Sequence, residues 1–187
     1  VGQGTFGEVM LGLERHTREQ VAVKVLEKDK ITDDDARQRL MNEIAILHRV
    51  QHPNLLHLLE AVEELDCIFL VTEYVGGGDL YTRLRDDGPM AEESGKLVCA
   101  EVALALGHVH SRGYMYRDLK SENVLCCLDG HIKLADFGLA RRKFPRACLR
   151  RLVPIFHLVA KLVSEFFTSW LCDRSQGSID PVSGGSL

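Results

Sequence analysis

The stretch of sequence that decides the fold is residues 116–138, YRDLKSENVLCCLDGHIKLADFG. Two short apolar runs, VLCCL and HIKLA, flank Asp129-Gly130, which is a strong signal for a two-residue hairpin turn. A hairpin here would bring Asp136 back beside Asn123, with Asp118 five residues earlier. Asp and Asn oxygens are hard ligands that suit Mg²⁺, which also takes phosphate oxygens. The stretch therefore predicts a polyphosphate site in which Asp118 is left to accept a proton from a hydroxyl.

This stretch resembles the protein kinase family, in which H-R-D-L-x-x-x-N and then D-F-G occur in this order. Tyr116 stands where the family usually has His, an exchange familiar in kinases that resemble the cyclic-nucleotide-dependent and C-type groups. Lys120, two residues after Asp118, is typical of the serine/threonine class. The resemblance implies that Asp118 is the catalytic base, that Lys120 meets the transferred phosphate, and that Asn123 and Asp136 hold Mg²⁺.

A glycine-rich segment opens the chain, where Gly2, Gly4 and Gly7 form G-x-G-x-x-G and Val9 follows. Dinucleotide-binding folds share this spacing, but they need a helix after the third glycine. Here the chain continues as EVMLGL and then VAVKVL, and both segments are typical of strands. We therefore expect a glycine-rich hairpin over phosphates, as in kinases, with a plain glycine hairpin as the alternative.

Lys24 and Glu43 are the next candidates. Period-2 alternation in VAVK places Ala22 and Lys24 on one face of a strand, where the ordinary interpretation is an exposed lysine. Residues 33–50 begin with three Asp and carry an apolar stripe at spacings of three and four, which predicts a helix with Glu43 beside the stripe. The resemblance implies that Lys24 binds the α- and β-phosphates, that Glu43 pairs with it, and that Ala22 covers adenine.

Two further strands are predicted at 55–62 and 67–72, and the TEYV that follows resembles the kinase hinge, whose backbone binds adenine. Thr72 would be the gatekeeper. Asp79 could cap the next helix. By resemblance it could also bind ribose or a basic substrate residue, and the two roles are compatible. The implied ATP site contains Gly2, Gly4, Gly7, Val9, Ala22, Lys24, Glu43, Thr72, Glu73, Val75, Asp79 and Leu125.

The predicted elements add up to an α+β, protein kinase-like fold. Its small lobe, at about 1–75, would be a five-stranded antiparallel sheet with one helix, and residues 76–142 would begin a mainly helical large lobe. Within that lobe, residues 91–112 predict a long helix that is apolar on more than one side and so needs cover all round. Four apolar residues are expected to stack between the lobes: Leu47, Leu58, Tyr116 and Phe137.

Composition is that of a globular protein, with 45% hydrophobic and 27% charged residues in a chain of 187. That length is enough for one domain with a substantial core. The six cysteines lack the spacing of metal ligands, so we expect reduced thiols and a location in the cytoplasm or the nucleus. We expect a protein partner rather than a nucleic acid.

Residues 143–187 are predicted to be a divergent, non-kinase tail. Residues 139–187 carry 8 basic and 3 acidic side chains, net +5, whereas residues 1–138 carry 15 and 24, net −9. The kinase pattern stops near Arg142, since no A-P-E follows and no Ser or Thr occurs before Ser164. Apolar pairs spaced by four predict an amphipathic helix at about 155–171, and residues 175–187 have a composition typical of disorder.

Three interpretations of this tail remain open. It is an alternative or out-of-frame C-terminus without an evolved role, a cover for apolar surface left by missing large-lobe helices, or a ligand for a membrane surface or calmodulin.

Two functions follow from the resemblance. The first is a serine/threonine kinase that uses ATP and Mg²⁺, in which Asp79 and Glu122 meet substrate arginines unless they are simply surface acids. The second is a nucleotide-binding or interaction module without turnover. The site residues favour the first and the truncated large lobe favours the second. Because Tyr116 and Arg117 would lack their usual partners, we expect a poorly stable, chaperone-dependent and weakly active chain.

Overall fold

The computed structural model describes residues 2–4, 7–31 and 33–142. The tail predicted at 143–187, with its helix at about 155–171 and its disordered end at 175–187, lies outside the described residues.

The small lobe is an antiparallel sheet. Its strands are β1 (Gly2–Gly4), β2 (Gly7–Leu13), β3 (Gln20–Glu27), β4 (Leu58–Glu63) and β5 (Cys67–Glu73), in the spatial order β1-β2-β3-β5-β4. Four of these strands have six to eight residues, and the predicted number of five is reached only when the three-residue β1 is counted. Because β2 follows the third glycine directly, the glycine segment is a hairpin and not the strand-to-helix turn of a dinucleotide-binding fold.

The one long helix of the small lobe, α1 (Asp34–Arg49), agrees with the helix predicted at 33–50. Asp33 caps it, because its side chain accepts a hydrogen bond from the Ala36 N–H. Leu40 and Leu47 lie on the buried face of α1 and pack into the core. The apolar stripe therefore faces the sheet, as its period indicated.

The strand predicted at 55–62 is wrong over its first residues, because β4 begins only at Leu58. Leu55 and Leu56 instead pair with Leu134, and the Leu56 N–H donates to the Leu134 carbonyl at 2.9 Å. The apolar pattern of the sequence cannot show whether a segment pairs with β5 or with β8, because either pairing would bury its leucines.

The described part of the large lobe contains two α-helices, a short 3-10 helix at Ser121–Asn123 and two pairs of short antiparallel strands. Its elements are α2 (Leu80–Asp87), α3 (Glu92–Ser111), β6 (Tyr114–Met115), β7 (Val124–Cys126), β8 (Ile132–Leu134) and β9 (Arg141–Arg142). Strand β7 pairs with β8, and β6 pairs with β9. Among the residues described, no helix has both the length and the apolar character needed to cross a membrane.

One buried cluster joins the two lobes. It includes the four residues expected to stack, Leu47, Leu58, Tyr116 and Phe137. The Tyr116 and Phe137 rings meet edge to face, with centroids 5.1 Å apart. Burying a side chain of this size contributes about 1.5–3 kcal/mol. The cluster thereby joins Tyr116 and Phe137 of the large lobe to Leu47 of α1 and Leu58 of β4.

Candidate active site

The β7–β8 hairpin forms as predicted and determines where Asp136 lies. Its turn contains Gly130 at a φ of 92°, a left-handed value that glycine adopts without strain. Beyond the hairpin, the Ala135 N–H donates to the Asn123 carbonyl at 2.9 Å. Asp136, the next residue, therefore returns to the side of Asn123.

Asp118 is held by two neighbours from the same loop. The Asn123 amide nitrogen lies 2.9 Å from both the Asp118 carbonyl and the Asp118 Oδ2, and Asn123 itself is buried. The Lys120 Nζ lies 3.2 Å from the same Oδ2. This hydrogen bond to Asp118 raises the pKa of the Lys120 ammonium. The three predicted catalytic residues thus form one connected group.

Tyr116 positions the backbone next to Asp136. Its hydroxyl donates to the Ala135 carbonyl, while its ring packs on Phe137. Burial, together with the charges of Asp136 and Asp118, raises the pKa of the Tyr116 hydroxyl well above its ordinary value. The phenol therefore stays protonated and remains a donor to the Ala135 carbonyl.

Asp136 adopts an uncommon backbone conformation, with a φ of 55°. Its Oδ1 accepts a hydrogen bond from the Gly138 N–H at 3.1 Å. This turn directs the carboxylate back over the D-F-G segment. A Cβ at Gly138 would lie 3.2 Å from Asp136 Oδ1 and 3.8 Å from Glu43 Oε2, so both carboxylates border the same small volume.

Lys24 and Glu43 form the predicted ion pair, with Nζ and Oε1 2.8 Å apart. Strand β3 supplies the lysine and α1 supplies the glutamate, whose side chain is only 6% exposed. Burial raises the pKa of the Glu43 carboxyl, and the charge of Lys24 opposes that shift. The pair therefore brings a cation from the sheet to the region that Asp136 borders.

The residues predicted around adenine lie on neighbouring strands. Ala22 is opposite Thr72 in the sheet register, and Val9 is opposite Lys24. The Thr72 hydroxyl reaches the Ala22 carbonyl at 3.5 Å. Leu125 approaches from the large lobe on β7, where it forms an isolated bridge with Asp79. The sheet thus places Val9, Ala22 and Thr72 on neighbouring strands, while Val75 lies just past β5 and is partly buried.

The two acidic candidates for substrate contact have local partners. Asp79 caps α2, accepting from the Thr82 N–H at 2.8 Å and from the Thr82 hydroxyl at 2.9 Å. The capping interpretation is therefore confirmed, and the ribose or substrate role stays a prediction. Glu122 is exposed, and the Ser121 hydroxyl lies 3.2 Å from its carboxylate.

Glu101 is a positioning residue that the sequence interpretation missed. It lies on α3, is 7% exposed, and accepts from the Ile132 N–H at 2.9 Å and from the His131 ring. These bonds fasten the β7–β8 hairpin to α3. The available signal was one acid within the apolar run LVCAEVALAL, because a buried carboxylate needs a donor.

Across the described ranges, no group of three or more His, Cys, Asp or Glu side chains is placed to hold a metal ion. The site offers instead one carboxylate, Asp136, and one carboxamide, Asn123. Mg²⁺ is commonly bound by one or two protein groups together with substrate phosphates and water. The donor set present therefore fits Mg²⁺ that arrives with a nucleotide.

Comparison with known proteins finds similarity to protein kinases. A family model for the protein kinase domain matches residues 1–153. The chain is 38% identical over 143 residues to serine/threonine-protein kinase akt-1 of Caenorhabditis elegans, covering 76% of this chain and 26% of that protein. It is 40% identical over 141 residues to the RAC serine/threonine-protein kinase of Drosophila melanogaster, covering 75% and 23%.

A plant relative shows a similar match. The CBL-interacting serine/threonine-protein kinase 3 of Arabidopsis thaliana is 36% identical over 140 residues, covering 75% of this chain and 32% of that protein. The chain thus spans about a quarter to a third of these relatives' lengths. With the matched segment running from the glycine hairpin through D-F-G, the chain belongs to the serine/threonine protein kinase family.

Proposed function

We propose that this chain binds ATP with Mg²⁺ and transfers the γ-phosphoryl group to a Ser or Thr hydroxyl of a protein. The observation that carries the proposal is the group around Asp118, in which Asn123 and Lys120 orient one carboxylate beside the Asp136 backbone. Such a group suits phosphoryl transfer, where positioning and charge neutralisation supply most of the catalysis.

The phosphate end of the nucleotide is assigned to Lys24 and the glycine hairpin. Glu43 holds the Lys24 ammonium in place through their contact at 2.8 Å. Asp136 and Asn123 would hold Mg²⁺, which when bound neutralises the phosphate charge. Because the Asn123 nitrogen donates to Asp118, its amide oxygen is the atom with the chemistry for a hard cation.

The acceptor end is assigned to Asp118 and Lys120. The substrate hydroxyl oxygen forms a bond to the γ-phosphorus while the bond to the leaving oxygen breaks, and the hydroxyl proton passes to the Asp118 carboxylate. The Lys120 ammonium, already beside Asp118, offsets negative charge on the transferred group.

The test is transfer of label from γ-labelled ATP to a basic peptide, comparing the unaltered chain with Asp118→Asn. Loss of a general base typically lowers the rate by about 10²- to 10⁴-fold. The asparagine keeps an oxygen for Asn123 and Lys120, so folding should be preserved and melting curves provide the check. Equal transfer by the two proteins would remove the catalytic proposal.

A nucleotide-binding module without turnover is the second candidate. It is favoured by the divergence of the sequence after Arg142, where D-F-G is not followed by A-P-E. Binding of Mg²⁺–ATP by a chain that transfers no label would support it over the kinase proposal.

For the substrate, we propose a preference for arginine upstream of the acceptor, supported by the exposed Glu122 carboxylate and by Asp79. A peptide array in which upstream arginine gives no advantage would overturn this preference.

The reduced-thiol composition supports a place in the cytoplasm or the nucleus, and fractionation of cells that express the chain tests it.

A further inference from the structure

A polar network joins the end of β5 to the hairpin that carries Asp136. The Lys133 Nζ lies 3.0 Å from Glu73 Oε1 and donates to the Pro53 carbonyl at 2.8 Å. The same Glu73 oxygen accepts from the His57 N–H at 2.8 Å. Both side chains are largely shielded, with 20% of Lys133 and 30% of Glu73 exposed. One lysine thus contacts two separate segments of the small lobe.

Backbone hydrogen bonds continue this network along β8. The Leu134 N–H donates to the Asn54 carbonyl and the Leu56 N–H donates to the Leu134 carbonyl, both at 2.9 Å. The Asn54 side chain adds a bond to the Ile132 carbonyl at 3.0 Å. The loop between α1 and β4 therefore behaves as a third strand beside the β7–β8 hairpin, and Lys133 extends that contact to β5.

The network joins the segment proposed to bind adenine to the hairpin that leads to Asp136. Glu73 ends β5, at the segment proposed to bind adenine. Lys133 lies on β8 opposite Leu125, and three residues later the same segment reaches Asp136, at the end proposed to bind phosphate and metal. A ligand that spans both ends binds tightly only when the two ends keep a fixed separation.

We propose that Lys133 and Glu73 are a positioning pair, which holds the hinge in register with Asp136 so that one nucleotide engages both ends. The inference rests on the proposed nucleotide site and assigns it two residues that touch neither phosphate nor metal. Because both side chains keep some exposure to solvent, the pair contributes little to global stability, and its effect should appear in the binding of a ligand that bridges the two ends.

The experiment compares Mg²⁺–ATP, which spans the site, with adenosine, which lacks the phosphates. We expect Lys133→Met to weaken Mg²⁺–ATP binding about fivefold to tenfold while adenosine binding changes less than about twofold. Glu73→Gln, which still accepts from the His57 N–H, should have the same effect. The double variant should bind no more weakly than Lys133→Met alone, because Lys133→Met already removes the Glu73 contact together with the bond to the Pro53 carbonyl.

Lys28→Met is the matched control, since Lys28 lies just past the end of β3 and pairs with Glu63 of β4 at 2.7 Å. A second readout needs no nucleotide. Hydrogen exchange at the Leu56 and Leu134 amides should be about tenfold faster in Lys133→Met and unchanged in Lys28→Met.

Equal weakening of both ligands, or unchanged exchange at the two amides, would overturn the positioning role and leave the proposed function standing. A failure of the unaltered chain to bind Mg²⁺–ATP would overturn the proposed function and the inference together.

Discussion

At the scale of single residues, Glu43 shows how strongly a buried charge depends on its partner. Lys24→Met would leave the Glu43 carboxylate buried without its cation. Removing one member of a buried pair typically costs about 3–5 kcal/mol. Because 20% of the Lys24 side chain is exposed, we expect about 2–4 kcal/mol in urea unfolding, together with loss of nucleotide binding.

The pH dependence of this variant follows from the pKa of Glu43. Burial already raises that pKa, and removing Lys24 takes away the charge that opposes the shift. Protonation neutralises the orphaned carboxyl, so the destabilisation should be smaller in acid and should grow as pH rises through the raised pKa. Lys28→Met, which removes a solvent-exposed pair, should show little change at any pH. A destabilisation independent of pH would contradict this account.

Two glycines test backbone conformation against helix propensity. Gly130→Ala forces a side chain into a φ of 92°, and we expect a loss of about 1–2 kcal/mol. Gly107 lies inside α3 with no atom within 4 Å of a built Cβ, so Gly107→Ala should gain about 0.5–1 kcal/mol. Thermal melts of both variants check the opposite signs. A destabilised Gly107→Ala would show that the helix position is more crowded than the structure indicates.

Residues with a role fixed by local pattern were predictable, and residues fixed by distant partners were not. Asp118 and Asn123 come just before one hairpin and Asp136 just after it, so spacing and turn chemistry predicted that they lie together. Lys133 and Glu73 meet across 60 residues of chain, with no periodic signal to join them. Lys24 and Glu43 were paired only through the family resemblance, because strand alternation alone left an exposed lysine as the ordinary interpretation.

At the scale of elements, long periodic segments were predicted well and short connections were not. Helix α3 was predicted at 91–112 and spans Glu92–Ser111. The start of β4 was wrong because Leu55 and Leu56 pair with β8 rather than with β5. Local apolarity shows that a segment is buried, while its hydrogen-bond partner depends on tertiary structure.

The link between α3 and the β7–β8 hairpin predicts a pH dependence of stability. Hydrogen bonding to Glu101 raises the pKa of the His131 imidazole above its ordinary 6.5. Between pH 6.5 and the raised pKa, the folded state therefore binds more protons than the unfolded state. The stabilisation is therefore present below the ordinary value and is lost as pH rises through the raised pKa.

Urea unfolding between about pH 5.5 and about pH 8.5 measures this effect, and His131→Gln should remove it. His16→Gln, at an exposed histidine, is the control. Burial, aided by His108 and Lys133, lowers the pKa of His52, so its contribution has the opposite sign and stability is lost as pH falls below 6.5. Because the two histidines act in opposite directions, the test compares the pH profile of His131→Gln with that of the unaltered chain. An unchanged pH profile in His131→Gln would contradict the prediction.

At the scale of the whole molecule, the two lobes share one buried cluster, so the described part of the chain should unfold as a single unit. The cluster runs from Leu26 and Leu70 of the sheet to Val102 and Val109 of α3. Because this cluster contains residues of both lobes, substitutions that destabilise α3 should destabilise the small lobe as well. The surface of α3 therefore bears on the stability and solubility of the entire chain.

One face of α3 exposes apolar side chains. Leu97 is 44% exposed and Leu104 is 62% exposed, and their spacing of seven puts them on one side of the helix, with exposed Ala100 between them. The sequence predicts that this helix needs cover all round, and within the described residues this side lacks it. Adjacent apolar side chains of this kind promote self-association.

We therefore expect the chain to self-associate through this face, and we expect Leu97→Gln with Leu104→Gln to shift it toward the monomer in sedimentation velocity. The control replaces Leu13 and Leu65, which are 59% and 90% exposed but lie in separate parts of the small lobe, with Gln. Similar exposure without a shared face should leave association unchanged, because scattered surface leucines are ordinary. Since neither altered leucine belongs to the buried cluster, the melting temperature at low concentration should change little. If both double variants associate alike, the contact lies elsewhere on the molecule and not on the uncovered side of α3.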